Sequence, residues 1–134
     1  MNIYVASYFN TRARLYPIVR EIRGLGHTVT SSWLDEPRGD RGPDAQTKTS
    51  DYTPDELAGF ARRDLQEIRE SDLIIVDTFD ETPRGGREVE LGYMMRQLGS
   101  YSWQVGPRRN VFHYIVDRHF ETWEEVLDAL RKTD

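Results

Sequence analysis

Leu73-Ile74-Ile75-Val76-Asp77, followed by Arg84-Gly85-Gly86-Arg87-Glu88-Val89-Glu90-Leu91-Gly92-Tyr93, is the stretch on which the fold reading turns. The first run is short, apolar and rich in β-branched residues, as a strand buried on both faces requires. The second is a glycine-rich turn leading into a helical run, Arg87 to Leu98, that stops at Gly99. A strand, a turn and a helix start in that order aim backbone N–H groups at a space where an anion or a sugar can sit. Gly86 lets the backbone approach a ligand closely. Glu88 and Glu90 lie in the first turns of this helix. Spaced i, i+2, they face different ways, so at most one points into a crevice at the strand end. Glu90 is the candidate, because Gly92 leaves room beside it for a ring. The helix dipole holds a carboxylate there ionised, which suits a nucleophile. The residues alone leave a second reading open, in which both are ordinary first-turn acids that favour the helix.

Working outward, the chain alternates strand and helix. Asn2 to Ser7 reads as a central parallel strand, and Tyr8 to Arg12 as the loop after it. A helix from about Arg12 to Gly24 carries Leu15, Ile18, Val19 and Ile22 at helical spacing. Pro17 inside it implies a start near Tyr16 or a bend. His27 to Trp33 reads as a second strand, with His27 a solvated residue at its start. Trp33 suits either the core or a stacking surface for a planar ligand. Residues 35–53 are turn formers and polar residues, the pattern of a lid or of a disordered segment.

Thr53-Pro54-Asp55-Glu56 caps a helix that runs to about Glu70, with Leu57, Phe60, Ala61, Leu65 and Ile68 on its apolar face. Asp64 falls at the edge of that face. It either reaches a crevice or pairs at the surface with Arg62, Arg63 or Arg69. Beyond the decisive stretch, 99–109 reads as a loop containing Tyr101 and Trp103. Asn110 to Val116 reads as a fourth strand, and Phe120 as part of a very short fifth. Thr122 and Glu125 form a capping box for the last helix. The whole is a single-domain α/β protein of flavodoxin or Rossmann-like type, an open parallel sheet of about five strands with helices on both faces. Its crevice should lie at the carboxyl ends of the strands.

Composition excludes several classes. At 134 residues the chain is long enough for one domain with a real core. With 37% apolar and 31% charged residues it is globular with polar loops. A net charge of −5 argues against a nucleic-acid polymer as partner, though Arg84 with Arg87 can hold a small anion locally. With no cysteine there is no disulfide, thiolate chemistry or Cys-ligated zinc. The histidines His27, His113 and His119 lack ligand spacing, so no metal is expected. No run approaches the roughly 18 apolar residues of a membrane span, and the start of the sequence reads as a strand rather than a leader, so a cytoplasmic location is expected. The dinucleotide fingerprint and the GKS or GKT phosphate loop are both missing, and no cofactor is expected.

Three segments together resemble the nucleoside 2-deoxyribosyltransferase family, which includes the 2′-deoxynucleoside 5′-monophosphate N-glycosidases. They are Ile3-Tyr4-Val5, then Arg63-Asp64-Leu65 with Ser71-Asp72-Leu73-Ile74-Ile75-Val76, then Gly86 to Tyr93. In order, they extend over nearly the whole chain. The resemblance implies Glu90 as nucleophile, Asp64 as the group exchanging a proton with the base, and Tyr4 as the residue positioning Glu90. It implies a deoxynucleoside or deoxynucleotide substrate, a free nucleobase as acceptor, and a homodimer or higher oligomer, with Trp103 and 99–109 as interface candidates. Six residues before the nucleophile, relatives that use nucleosides carry an acid for the sugar 5′-hydroxyl; Arg84 stands there. A cation there suits a 5′-phosphate, with Ser7, Asn10, Thr11 and Arg12 of the first loop beside it. The alternative assigns the 5′-hydroxyl to Asp80 or Glu81. Chemistry of this kind needs one carboxylate to stabilise and bond the anomeric carbon and a second group to protonate the leaving base. Transfer to a second base and hydrolysis differ only in what attacks the intermediate, and a third reading, a non-catalytic nucleotide-binding module of the same fold, is opposed by the presence of both Glu90 and Asp64.

Overall fold

A computed structural model describes residues 1–35, 52–81 and 85–133, without the Asn10 side chain. The proposed lid, 35–53, therefore lies almost wholly outside the described residues, and Arg84 lies outside them too. Five strands form one sheet: β1 (Asn2–Ala6), β2 (Thr28–Val29), β3 (Leu73–Asp77), β4 (Tyr101–Val105) and β5 (Arg118–Phe120). All pairs are parallel, in the order β2-β1-β3-β4-β5. The helices are α1 (Arg12–Gly24), α2 (Pro54–Arg69), α3 (Gly86–Met95) and α4 (Trp123–Arg131). Helix α1 packs with α4, and α2 packs with α3, so the sheet separates two helical layers. The single-domain parallel α/β architecture agrees with the sequence reading. Among the described residues no helix is long and apolar enough to cross a membrane.

The core follows from the two central strands. Ile3, Tyr4, Val5 and Ala6 of β1, and Leu73 to Val76 of β3, are all buried, as expected of strands covered on both faces. Register pairs Tyr4 with Ile74 and Val5 with Ile75. From β1 the sheet extends one way to β2 and from β3 the other way to β5. That reversal opens a crevice at their carboxyl ends.

Local signals explain the helices. Thr53 and Glu56 form a reciprocal capping box on α2, at 3.1 and 3.0 Å. Helix α1 starts at Arg12, directly after a 3-10 turn over Phe9–Thr11, and continues through Pro17, so the late start does not occur. On α4, Thr122 accepts the Glu125 N–H at 3.2 Å, while Glu125 takes the Thr122 hydroxyl rather than its backbone N–H, so only half of the capping box forms.

Three readings need correction. The second strand stops at Val29, because a 3-10 turn over Ser32–Leu34 replaces it. Side chains of that turn do the work of a strand edge: Ser31 Oγ accepts the Val5 N–H at 3.0 Å, and Trp33 Nε1 donates to the Val5 carbonyl at 2.9 Å. His27 is buried rather than solvated, held between the Met1 amino group (3.0 Å) and the Leu130 carbonyl (3.3 Å). Finally, the fourth strand lies within 99–109, where a loop was expected, and Asn110 to Val116 is not a strand. Val111–Tyr114 is a 3-10 turn capped by the Asn110 side chain, which accepts the Phe112 N–H at 2.9 Å. Trp103 is a buried β4 residue packed on Phe120, 5.0 Å between ring centroids, so it is not available as a surface contact.

Candidate active site

A cleft of about 290 Å³ opens at the carboxyl end of β1, walled by Phe9, Trp33, Leu65 and Val89, with Ser7, Asp64, Gly86, Arg87 and Glu90 on its surface. This is near the lower end of the range for ligand pockets, roughly 300–1,000 Å³. Each wall comes from a different element: Ser7 and Phe9 from beyond β1, Asp64 from α2, Glu90 from α3. The sequence pieces that were predicted to converge do so.

At its base, the Tyr4 hydroxyl donates a hydrogen bond to Glu90 Oε2. Tyr4 is fully buried on the central strand. Burial pushes its phenol well above the ordinary value, and the charges of Glu90 and Asp64 push it the same way. It is therefore a proton donor at every physiological pH. Glu90 and Asp64 both lie close enough to act on the same phenol, which brings together the three residues proposed for chemistry. Arg63 Nη2 stands 3.8 Å from Asp64 Oδ1, so both readings of Asp64, cleft acid and partner of an arginine, describe the same side chain.

Glu88 faces elsewhere, as the i, i+2 spacing required. Its Oε1 accepts from His113 Nε2 at 2.8 Å and from Arg87 Nε at 3.1 Å. The Arg109 backbone N–H donates to His113 Nδ1 at 2.9 Å, so the ring proton sits on Nε2, facing Glu88. Burial raises the Glu88 carboxyl, but the His113 and Arg87 contacts outweigh it and hold the group below the ordinary value.

The remaining candidates divide. Arg87 borders the cleft, yet its guanidinium is buried and donates to the Asp77 and Asp80 carbonyls at 3.2 and 2.9 Å, which fixes the loop after β3. Asp80 pairs with Arg14 at 3.0 Å. Arg14 also grips the fully buried Asp77 through two bonds of 2.9 and 3.0 Å, and Trp123 Nε1 completes that carboxylate at 2.7 Å. Ser7 and Thr11 share a hydrogen bond of 3.0 Å, and the Arg12 guanidinium lies 4.2 Å over the Phe9 ring. Gly92 is exposed, and a Cβ there would meet nothing within 4 Å.

The sequence reading passed over Glu67 and Arg14, and weighed His113 only as a metal ligand. Glu67 was within reach of it, since it follows Asp64 at i+3 and so shares its helix face. Arg14 and His113 gave no such signal, because their partners Asp77 and Glu88 are distant in sequence. Among the described residues no cluster of His, Cys, Asp and Glu is arranged to hold a metal ion.

No family model and no curated protein matches the sequence. Solved structures do match. The chain is similar to a 2-deoxyribosyltransferase of the psychrotolerant bacterium Bacillus psychrosaccharolyticus, with 24% identity over 96% of this chain and 91% of that one and a TM-score of 0.71. It is also similar to a CMP N-glycosidase of Clostridium botulinum, with 16% identity over 97% of this chain and 98% of that one and a TM-score of 0.59. At these identities the likeness establishes a shared fold along nearly the full length.

Proposed function

We propose that this chain belongs to the nucleoside 2-deoxyribosyltransferase family and breaks the N-glycosidic bond of 2′-deoxynucleosides or their 5′-monophosphates, carrying the sugar on Glu90. The observation that carries this reading is the Tyr4–Glu90 hydrogen bond at the base of a cleft that also holds Asp64. The shared fold with a transferase and an N-glycosidase supports it.

In the first step a Glu90 carboxylate oxygen bonds to the anomeric carbon as the bond from that carbon to the base nitrogen breaks. The electron pair leaves with the base, and the Asp64 carboxyl supplies its proton. Tyr4 orients Glu90 and stabilises its negative charge. In the second step a nitrogen of another nucleobase attacks the same carbon, the Glu90 carboxylate departs, and Asp64 takes back a proton. Water in place of the second base gives hydrolysis, and the likeness to a CMP N-glycosidase favours keeping that reading beside transfer. No cofactor enters either step.

Preference for a 5′-monophosphate rests on Arg84 with Ser7, Asn10, Thr11 and Arg12 of the first loop. Self-assembly is part of the same reading. Val111, Phe112, Tyr114 and Ile115 are all exposed and form an apolar patch suited to a second copy.

Chromatography of free base and new nucleoside, with and without an acceptor base, tests the proposal. Product that forms only with an acceptor identifies a transferase, and base released without one identifies a hydrolase. No turnover of any deoxynucleoside or monophosphate overturns the reading. Arg84→Ala should raise KM for monophosphates alone, and an equal effect on nucleosides would remove the phosphate assignment.

A further inference from the structure

Glu67 is a third carboxylate on the helix that carries Asp64, and the reaction proposed above does not use it. It lies one turn beyond Asp64, and its charge acts on the Tyr4 phenol as Asp64's does. Burial pushes its carboxyl up, against the pull of its Ser32 hydrogen bond, and the nearby Asp64 charge pushes it up further. Keeping it ionised at neutral pH costs the fold.

What Glu67 holds is the backbone N–H of Ser32, which lies 3.2 Å from one carboxylate oxygen and 3.4 Å from the other. Ser32 opens the 3-10 turn Ser32–Leu34. On its other side that turn hangs on β1 through Ser31 and Trp33, as described above. The Trp33 ring is a wall of the cleft and lies 6.1 Å from Phe9, centroid to centroid. Asp64 lines the same cleft from α2. The Glu67–Ser32 bond therefore ties the wall carrying the indole to the helix carrying the acid.

We infer that Glu67 is a positioning residue: by holding the Ser32 amide it fixes the spacing between the cleft wall that the buried Trp33 supports and Asp64, the group that exchanges a proton with the base. The identity of the ligand rests on the proposed function, whereas the tether itself does not. A base held in the cleft needs the wall on the Trp33 side at a set distance from the group that reaches its edge. A loosened turn would weaken base binding more than it would slow the bond-breaking step at Glu90.

The test combines amide hydrogen exchange over residues 31–34 with steady-state kinetics for wild type, Glu67→Ala, Glu67→Gln and Glu67→Asp. Glutamine keeps an acceptor at the same reach, and aspartate keeps the charge but shortens the reach. Loss of a hydrogen bond to a charged group is worth about tenfold or more. The Ser32 amide should therefore exchange about tenfold faster in the Ala and Asp variants, and KM for deoxynucleosides should rise about tenfold with kcat changed less than about threefold. The Gln variant, whose neutral carbonyl keeps the bond in weaker form, should lie nearer wild type than Ala or Asp in both. Wild-type exchange in Glu67→Ala, or faster exchange with KM unchanged, overturns the inference. So does a pattern in which Asp behaves as wild type and Gln does not, since charge would then be what matters. Should Glu67→Ala fail to fold, the Gln and Asp pair decides alone. If the wild type turns over no deoxynucleoside, it is the proposed function that fails. Exchange at Ser32 and binding of free adenine or cytosine, read by tryptophan fluorescence, then replace KM in the same comparison, and unchanged base binding in Glu67→Asp overturns the inference.

Discussion

Tyr4 on the central strand and Glu90 on α3 are joined phenol to carboxylate, 86 residues apart in sequence, beside the point where the sheet reverses direction. A buried phenol surrounded by carboxylates stays protonated, so this bond persists across the whole working range of pH. It removes conformational freedom from the glutamate and disperses its charge. Tyr4→Phe removes the donor and little else, since the ring still fills the core. A hydrogen bond to a charged group is worth about 1.5–3 kcal/mol, so kcat/KM should fall roughly 10–100-fold with Tm nearly unchanged. A large loss of Tm with wild-type kcat/KM would assign Tyr4 to packing alone.

The acid sensitivity of the fold should trace in part to Glu88. Its folded-state pKa is lowered, so its contribution is fully present above the ordinary glutamate value of about 4.3 and is lost as pH falls through the lowered folded value. Glu88→Gln should therefore lower Tm at pH 7, and the gap from wild type should close as the pH approaches 3. Thermal melts across that window check the sign. A gap that widens on acidification would contradict the His113–Glu88–Arg87 arrangement.

Gly106 is the glycine whose backbone matters most for the loops above β3 and β4. Its φ is +109°, and a Cβ would sit 3.0 Å from Thr78 Oγ1 and 3.1 Å from the Phe79 nitrogen. Strain of this kind costs about 1–3 kcal/mol before any clash is counted. Gly106→Ala should lower Tm by several degrees and loosen the Thr78–Phe79 segment, which Arg109 pins through two carbonyls at 2.7 and 2.8 Å. An unchanged melt would mean that this corner readjusts freely.

The parts of the fold legible in the sequence are those whose local signals agree with their burial. β3 is buried throughout and apolar up to its last residue, Asp77, and α2 has its proline, its capping box and an apolar stripe that buries Ile68. β4 was hidden because Ser102 and Gln104 interrupt its apolar pattern. In the structure the Asp117 carboxylate accepts from the Ser102 backbone N–H and hydroxyl, and the Gln104 amide group donates to Thr78 Oγ1 and to the Gly106 carbonyl, while its buried Oε1 has no partner among the described residues. The opposite mistake arose at Asn110 to Val116, whose apolar letters read as a strand although Val111, Phe112, Tyr114 and Ile115 lie at the surface. His113 is the fully buried residue of that segment, and the partner that draws it in is Glu88, which no local pattern reveals. At the site, the geometry of Glu90, Asp64 and Tyr4 could be anticipated from helix spacing and from the family resemblance. The roles of Arg14 and Arg87 as braces for the loop after β3 depend on contacts between distant segments.

The central claim is that the sugar passes through a bond to Glu90, and peptide mapping of the quenched reaction tests it most directly. Wild-type protein mixed with a deoxynucleoside or its monophosphate should carry the sugar mass on the Glu90 side chain. Glu90→Ala should carry none and should lose at least about a thousandfold in base release, the scale on which loss of a principal catalytic group acts. A sugar adduct on another residue, or base release undiminished in Glu90→Ala, would contradict the account.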